Sequence, residues 1–507
     1  MAKHRLVTLV IVLALVMLTA ACNAAQQPQA TKIPAVEPGA ADQPVTLRFY
    51  FGGEKKAATD EVWEEIGQYV RSKGLNVKFD VRFIPFKEYP DKLLTMAAAG
   101  DRWDMNFDAD WLNFKQMAAK GAYMDLKQLL PKYAPALYKK YEETGNLQSA
   151  TLHDQVIGLP WNIKMNQRKF AGWRLDYAEK AGIDIGPDEV QTIEDVDRLL
   201  RELKKAYPEE RITRTPPLSI YFIRDEWVDL GFYNLGYYLN DLDITIQPME
   251  QQPFFIEAGE MAKAWFDDRI LSRDLLISQE DGANEWRNGK VLFTITSHEW
   301  AHANPGFADP GYKQRMSLLY PDNKYVNRTQ LANLVAINKH SSNPELVLQF
   351  LDMLATDQKL YDLVHYGILH KTYELVDDMA VYPEGMTTLT SNYMEWGGQW
   401  ALWNTDFLKP SETYSKGFWE RETEFAELPI NVDSPIDSLL LSETNIRKEL
   451  LEREQLIHQY ARPIEFGMVD DVEASVAQYI EIQKNNNLDK IIQEIQTQVD
   501  QYMSKSR

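Results

Sequence analysis

The sole cysteine of this 507-residue chain, Cys22, decides how the rest can be held together. With no second thiol, no disulfide can staple the fold and no cysteine-ligated metal can nucleate it. Stability must come from a buried apolar core, which a chain of this length can supply. The residues ahead of Cys22 read as a bacterial export signal. Lys3 and Arg5 make a positive start, residues 6–18 are apolar, and Ala20-Ala21 puts small residues directly before the cysteine. An apolar run this short does not span ~30 Å of hydrocarbon as a stable helix. Cleavage before Cys22 would leave an N-terminal cysteine to carry diacylglycerol. Two acyl chains, at about 0.8 kcal/mol per buried methylene, hold a soluble domain on a membrane almost permanently. The usual lipobox has Leu three residues before the cysteine; here Thr19 stands there, with Leu18 one further back. The competing reading is an ordinary secreted protein whose signal ends near a cysteine. The expectation is lipidation at Cys22 and a place on the outer face of the cell membrane. The absence of disulfides suits a Gram-positive bacterium.

The formal charge is −21, and losing Lys3 and Arg5 with the signal, which holds no acids, takes it to −23. Phosphate backbones repel so acidic a chain, so nucleic-acid binding is not expected. No second apolar run of about 18 residues follows, so the remainder is expected to be soluble. At roughly 150 residues per domain, two or three domains are expected. Thirteen Trp and 25 Tyr are enough to build cores and also to line a cleft that stacks on flat ligand faces.

Residues 23–44 form a Pro/Ala/Gln tether without aromatics or hydrophobic period. Strand-like alternation begins at Val45 and stops at Gly52-Gly53. Helices are predicted over 57–73 and 89–99, and strands over 77–86 and 104–107. Strands alternating with helices imply a parallel sheet in an α/β lobe, with ligands at the carboxyl ends of the strands. The loops there are Gly52-Gly53-Glu54 and Ala109-Asp110-Trp111. Residues 155–162 read as a short strand leaving the first lobe. Beyond them the pattern predicts helices at 193–206, 258–268, 346–355 and 358–366. It also predicts a hairpin at 244–255 and strands at 291–296 and 331–338. The tail is helical from Val472 and broken at Asn485-Asn486-Asn487. Its last helix shows Leu488, Ile491, Ile492, Ile495 and Val499 on one face, which needs a partner surface.

In order and spacing these segments resemble the lipid-anchored solute-binding proteins of ABC importers, the family 1 extracellular binding proteins and their LipO-like subgroup. The stretches that carry the resemblance are residues 91–135, IGLPWN at 157–162, WFDDRILSRDLL at 265–276 and EWRNGKVLFTITSH at 285–298. HYGILHKTYEL at 365–375, WNTDFL at 403–408 and the amphipathic tail add to it. The resemblance implies a two-lobed, periplasmic-binding-protein-like α/β clamshell with parallel-sheet lobes, several interlobe crossovers and a helical C-terminal region. The expected division is a first lobe over 45–160 with a return segment at roughly 305–360. The second lobe covers 161–304 with a return at roughly 361–430, and 431–507 is a separate helical region. Closure on a ligand and docking on the importer's membrane subunits would follow. A monomer without cofactor or metal is expected.

His298-Glu299-Trp300-Ala301-His302 fits H-E-x-x-H, in which two histidines hold zinc and Glu serves as base. That motif needs a helix of several turns. Here a β-rich run ends just before it and Asn304-Pro305-Gly306 follows. The extended form needs Gly at 305 and His at 308, where this chain has Pro305 and Ala308. Ser297, His298, Glu299 and Trp300 are instead read as ligand contacts on a loop facing the cleft, with a plain surface loop as the other reading. Asp110 and Trp111 are read as the first-lobe wall: an indole stacks on the apolar face of a pyranose while carboxylates take its hydroxyl hydrogens. Core packing of Trp111 is the alternative. Trp161 is open between hinge packing and ligand stacking. Trp396, Trp400 and Trp403 lie at i, i+4, i+7 on an expected helix, which makes them core, cleft or both. Tyr373 is a further candidate. Abundant acids admit a glycoside hydrolase, although no local motif selects a pair. The expected ligand is a carbohydrate, an oligosaccharide; a peptide or other solute, or an anchored hydrolase, is the alternative.

Overall fold

The computed structural model describes residues 43–152, 154–160, 165, 166, 168–230, 233–276, 285, 286, 289–297, 313–328, 330–387, 390–411, 417–436, 439 and 441–506. Within Val45–Arg507, the first lobe is built on a five-stranded sheet. Strand Val45–Gly52 is paired in parallel on both sides, with Val77–Ile84 and with Met105–Asp108. Leu334–Ile337 then runs antiparallel to Met105–Asp108 and to Leu159–Pro160. Alternation explains the first strand, which turns Leu47, Phe49 and Phe51 inward. Met105–Asp108, central in the sheet, is buried on both faces. Helix Thr59–Ser72 lays Val62, Trp63, Ile66 and Val70 on the sheet, one face of a 3.6-residue period. Helix Tyr89–Ala99 starts at Pro90 and ends where Gly100 takes φ +73°, a left-handed cap that favours glycine.

The second lobe centres on Phe170–Arg174, flanked on both sides by the antiparallel strands Phe293–Thr296 and Gln314–Leu318. The expectation of a parallel sheet is corrected here. Residues 175–292 lie between the first two strands, so no short helical crossover sets them parallel. Helix Ile193–Ala206 begins with a reciprocal cap. The Thr192 hydroxyl accepts from the Asp195 amide at 3.3 Å, and the Asp195 carboxylate accepts from the Thr192 amide at 3.1 Å. The hairpin expected at 244–255 is absent. Ile244 sits at φ +54°, Gln247–Pro248 pairs back to Leu235–Tyr238, and Pro253 opens a helix that runs to Asp267.

The two cores divide the chain differently from the expected lobes. Leu360, Tyr361, Val364, Tyr393, Trp396 and Leu402 belong to the first core, so the return to the second lobe over 361–430 is corrected. Leu319 belongs to the second core, so the return to the first lobe begins later than 305. The C-terminal region is not separate. Val472, Val476 and Tyr479 complete the second core. Ile446, Leu450, Ile491, Ile495 and Val499 pack with Val228, Leu235, Tyr237 and Ile246, so the last helix finds its partner surface there.

Among the described residues, three chain crossings link the cores, and they share one sheet. Tyr325–Arg328 pairs antiparallel with Met165–Asn166 and parallel with Asn431–Asp433. Next to it, the buried guanidinium of Arg168 meets the buried carboxylate of Glu422 on helix Phe418–Ala426 and lies 4.0 Å over the Phe425 ring.

A second buried pair fastens the C-terminal helices. Arg453 and Glu250, both without exposure, meet through two hydrogen bonds of 2.9 and 3.1 Å. Arg453 also donates to the carbonyls of Tyr233 at 2.7 Å and Asn234 at 3.2 Å. Breaking such a pair by removing one partner costs about 3–5 kcal/mol, because a charge is left buried alone. Arg453→Met should therefore lower unfolding free energy by about that amount, read in urea titration. A double Arg453→Met, Glu250→Leu variant should recover a large part of it.

Candidate functional site

At the carboxyl ends of the three parallel strands the chain places an aromatic wall. The strand Val77–Ile84 runs into Pro85-Phe86, and Met105–Asp108 into Ala109-Asp110-Trp111. The Phe86 and Trp400 rings stack at 5.7 Å and 16°. Trp111 lies 6.3 Å from Phe86 and 5.9 Å from Phe107, and Phe107 meets Trp400 edge-on at 6.0 Å. Trp111 remains 45% exposed, unusual for so large an apolar side chain in a loop that is otherwise pinned. Its Nε1 donates to the Ala332 carbonyl at 2.6 Å, and the Asp110 amide donates to the Leu331 carbonyl at 2.9 Å. The indole face is thus held open by its edge.

Glycines make the wall possible. A Cβ on Gly52 would lie 2.4 Å from the Phe86 ring, and one on Gly397 would lie 2.1 Å from the Gly52 carbonyl oxygen. Gly398 takes φ +81°. The segment around residues 395–402 can therefore sit backbone to backbone on the end of the first strand and bring Trp400 to Phe86. Lys56 stands on the same edge. Burial lowers its ammonium pKa, and the charge of Glu395 partly opposes the shift. Glu395 itself holds φ +59°.

The expected residues separate into groups. Asp110, Trp111 and Trp400 come together on this wall. Trp396 does not: it has no exposure, donates its Nε1 to the Val364 carbonyl at 2.8 Å and packs edge-on to Phe51 at 4.8 Å. The helix expected to carry Trp396, Trp400 and Trp403 is broken by Gly397-Gly398, and only a single 3-10 turn forms, at Gln399–Leu402. Trp396 is thereby turned into the core and Trp400 out of it. Tyr373 is also a packing residue here, 4% exposed, beside Tyr366 at 5.6 Å, with its phenol pushed up to about 12 by burial. Ser297 follows strand Phe293–Thr296 of the second lobe and accepts from Lys169 Nζ at 2.8 Å. Trp161, His298, Glu299 and Trp300 lie outside the described residues, as does Cys22. Among the described residues, no three His, Asp or Glu side chains converge as a metal site.

Phe86, Lys56 and Glu395 were not legible as wall residues. Phe86 reads as the last residue of the second strand; the signal against that is Pro85, which ends the strand and puts Phe86 in the loop. Chemically, the wall offers an exposed indole face, a stacked pair of rings behind it, and a carboxylate. It suits a ligand with a flat apolar face and hydroxyls at the rim.

Residues 69–387 match the model of the bacterial extracellular solute-binding proteins, and residues 440–504 match a domain of unknown function, DUF3502. A carbohydrate ABC transporter substrate-binding protein of Streptococcus pneumoniae serotype 4 is 22% identical over 485 residues, 92% of each chain. The crystal structure of the N-glycan transport solute binding protein NgtS from Streptococcus pneumoniae aligns with a TM-score of 0.75 at 19% identity, covering 91% of this chain and 100% of that one. Its complex with Man1GlcNAc aligns at 0.72 and 20% identity, covering 90% and 99%. The alginate-binding protein AlgQ2 aligns at 0.60 and 17% identity, covering 90% and 98%. These likenesses agree on a two-lobed α/β fold. Since the family match at 69–387 spans more than half of its length, the chain belongs to the bacterial extracellular solute-binding proteins.

Proposed function

We propose that this protein captures an oligosaccharide by closing its two lobes and hands it to the membrane subunits of an ABC importer. The observation that carries this reading is the half-exposed Trp111 face, backed by Phe86, Phe107 and Trp400 and flanked by Asp110. A sugar ring has what this wall accepts, an apolar face of C–H groups with hydroxyls at its edge. The names of the relatives support the ligand class, a carbohydrate in one case and an N-glycan in the other. Capture works by population shift: a ligand that touches both lobes only when they are closed favours that state by its differential affinity. The three paired crossings give such a motion a shared axis. In this reading Ser297, His298, Glu299 and Trp300 contact the ligand from the second lobe, and Trp161 is a further candidate for stacking. The protein acts as a monomeric receptor, not as an enzyme.

Calorimetry against an oligosaccharide panel that includes Man1GlcNAc should give saturable binding with no product on chromatography. Covering half an indole is worth about 1–2 kcal/mol, so Trp111→Ala should weaken binding by roughly tenfold. Release of smaller sugars, or tight binding of peptides in place of glycans, would overturn the assignment.

The same proposal places the receptor on the outer face of the cell membrane through diacylglycerol on Cys22. The tether then keeps the receptor concentrated beside its importer. Cys22→Ala should move the protein from the membrane fraction to the medium with its glycan affinity unchanged.

A further inference from the structure

Beneath Asp110 and Trp111 lies a buried carboxylate that ligand contact does not use. Asp108 closes the strand Met105–Asp108 and has no exposure. Its oxygens accept from the Ala109 amide at 2.8 Å, from the Asn113 amide and from the Tyr123 hydroxyl. The Tyr123 hydroxyl in turn accepts from Asn106 Nδ2 at 3.3 Å, and Asn106 Oδ1 accepts from Trp103 Nε1 at 2.8 Å. One carboxylate therefore gathers both ends of the turn 109–113, and the residues between those ends include Asp110 and Trp111.

The titratable groups around Asp108 are Asp110 on the turn, Tyr123 beyond helix Phe114–Ala119, and Tyr89 on helix Tyr89–Ala99. Tyr89 gives its own proton to the Phe107 carbonyl at 2.6 Å. The strand on the other side presents Leu334 opposite Asp108. Burial pushes the Asp108 carboxyl up to about 7, with the negative charge of Asp110 adding to the rise and the three donors opposing it.

We propose that Asp108 is a positioning residue for ligand capture. Ionised, it holds the 109–113 turn, and with it Asp110 and Trp111, in the shape that receives a ligand; protonated, it lets the turn go. The proposal rests on reading Asp110 and Trp111 as a ligand wall. Amide hydrogen bonds to a carboxylate are stronger than those to a neutral acid, and a protonated oxygen becomes a donor and a poor acceptor. By linkage, a ligand that needs the held turn binds the ionised protein better and lowers the pKa of Asp108 in return. The pH signs are then opposite for binding and for stability. Binding strengthens as pH rises through 7. Folding stability falls as pH rises from the unfolded value near 4 toward 7, because the folded state keeps its proton longer than the unfolded one. A carboxylate that served the fold alone would show only the second.

The first measurement needs no ligand. Amide exchange of peptides covering 109–113, expressed as protection factors, should rise about fivefold between about pH 5.5 and about pH 8.5 in the wild type and stay flat in Asp108→Asn. Calorimetry with Man1GlcNAc over the same range should show affinity rising in parallel in the wild type and not in Asp108→Asn. Tyr123→Phe keeps the carboxylate and removes one donor. It should shift the midpoint to higher pH, and it carries the test if the Asn variant does not fold. Flat protection in a wild type that binds glycan overturns the role of Asp108 and leaves the binding reading intact. Rising protection in a wild type that binds no glycan at any pH overturns the binding reading, and the capture role of Asp108 with it.

Discussion

Whatever the two lobes do relative to each other passes through three chain crossings that are hydrogen-bonded into one small sheet. A crossing that is paired to its neighbour cannot bend alone, so a change at one is shared by all three. The Arg168 and Glu422 side chains tie the first crossing to the helix that precedes the third. Their burial means that neither charge can be released into water without moving that helix. Any change in the angle between the lobes would have to be one that the three strands accept together.

The aromatic wall depends on a different contact, the approach of Gly397 to Gly52. A side chain at Gly397 would meet the Gly52 backbone and push the 395–402 segment off the strand end, and one at Gly52 would displace the Phe86 ring. Trp400 would then lose its stack on Phe86, and Trp111 would lose the backing that makes its free face a surface rather than a loose ring. The same turn drives Trp396 inward, where it joins Phe51, Phe83 and Trp63. Gly397-Gly398 therefore decides which of two nearby indoles is buried in the core and which joins the aromatic wall.

The first lobe was legible in the sequence because its elements are local. Alternation at 45–51 and the helix that ends at Gly100 each carry their own signal within a few residues. The place of Asp110 and Trp111 in the loop after a strand was legible for the same reason. The crossing strands were not: Met165–Asn166 is two residues long, too short for any period to register. Trp396 and Trp400 share a spacing that two helical neighbours would also have, and only the left-handed Gly398 separates them. The pairing of Arg453 with Glu250 spans 203 residues, and nothing near either one announces the other. What periodicity misses is contact between distant segments, and the division of the chain into two cores is made of such contacts.

The first strand has a mechanical consequence. It begins at Val45, and its eight residues run in parallel register with Val77–Ile84. On its other side it is held by Met105–Asp108. A force pulling on residue 45 acts along the strand, across both ladders at once. Hydrogen bonds loaded in that direction must shear together instead of parting one by one from an end. A pull along the axis of this strand would therefore be resisted by its neighbours on both sides at once.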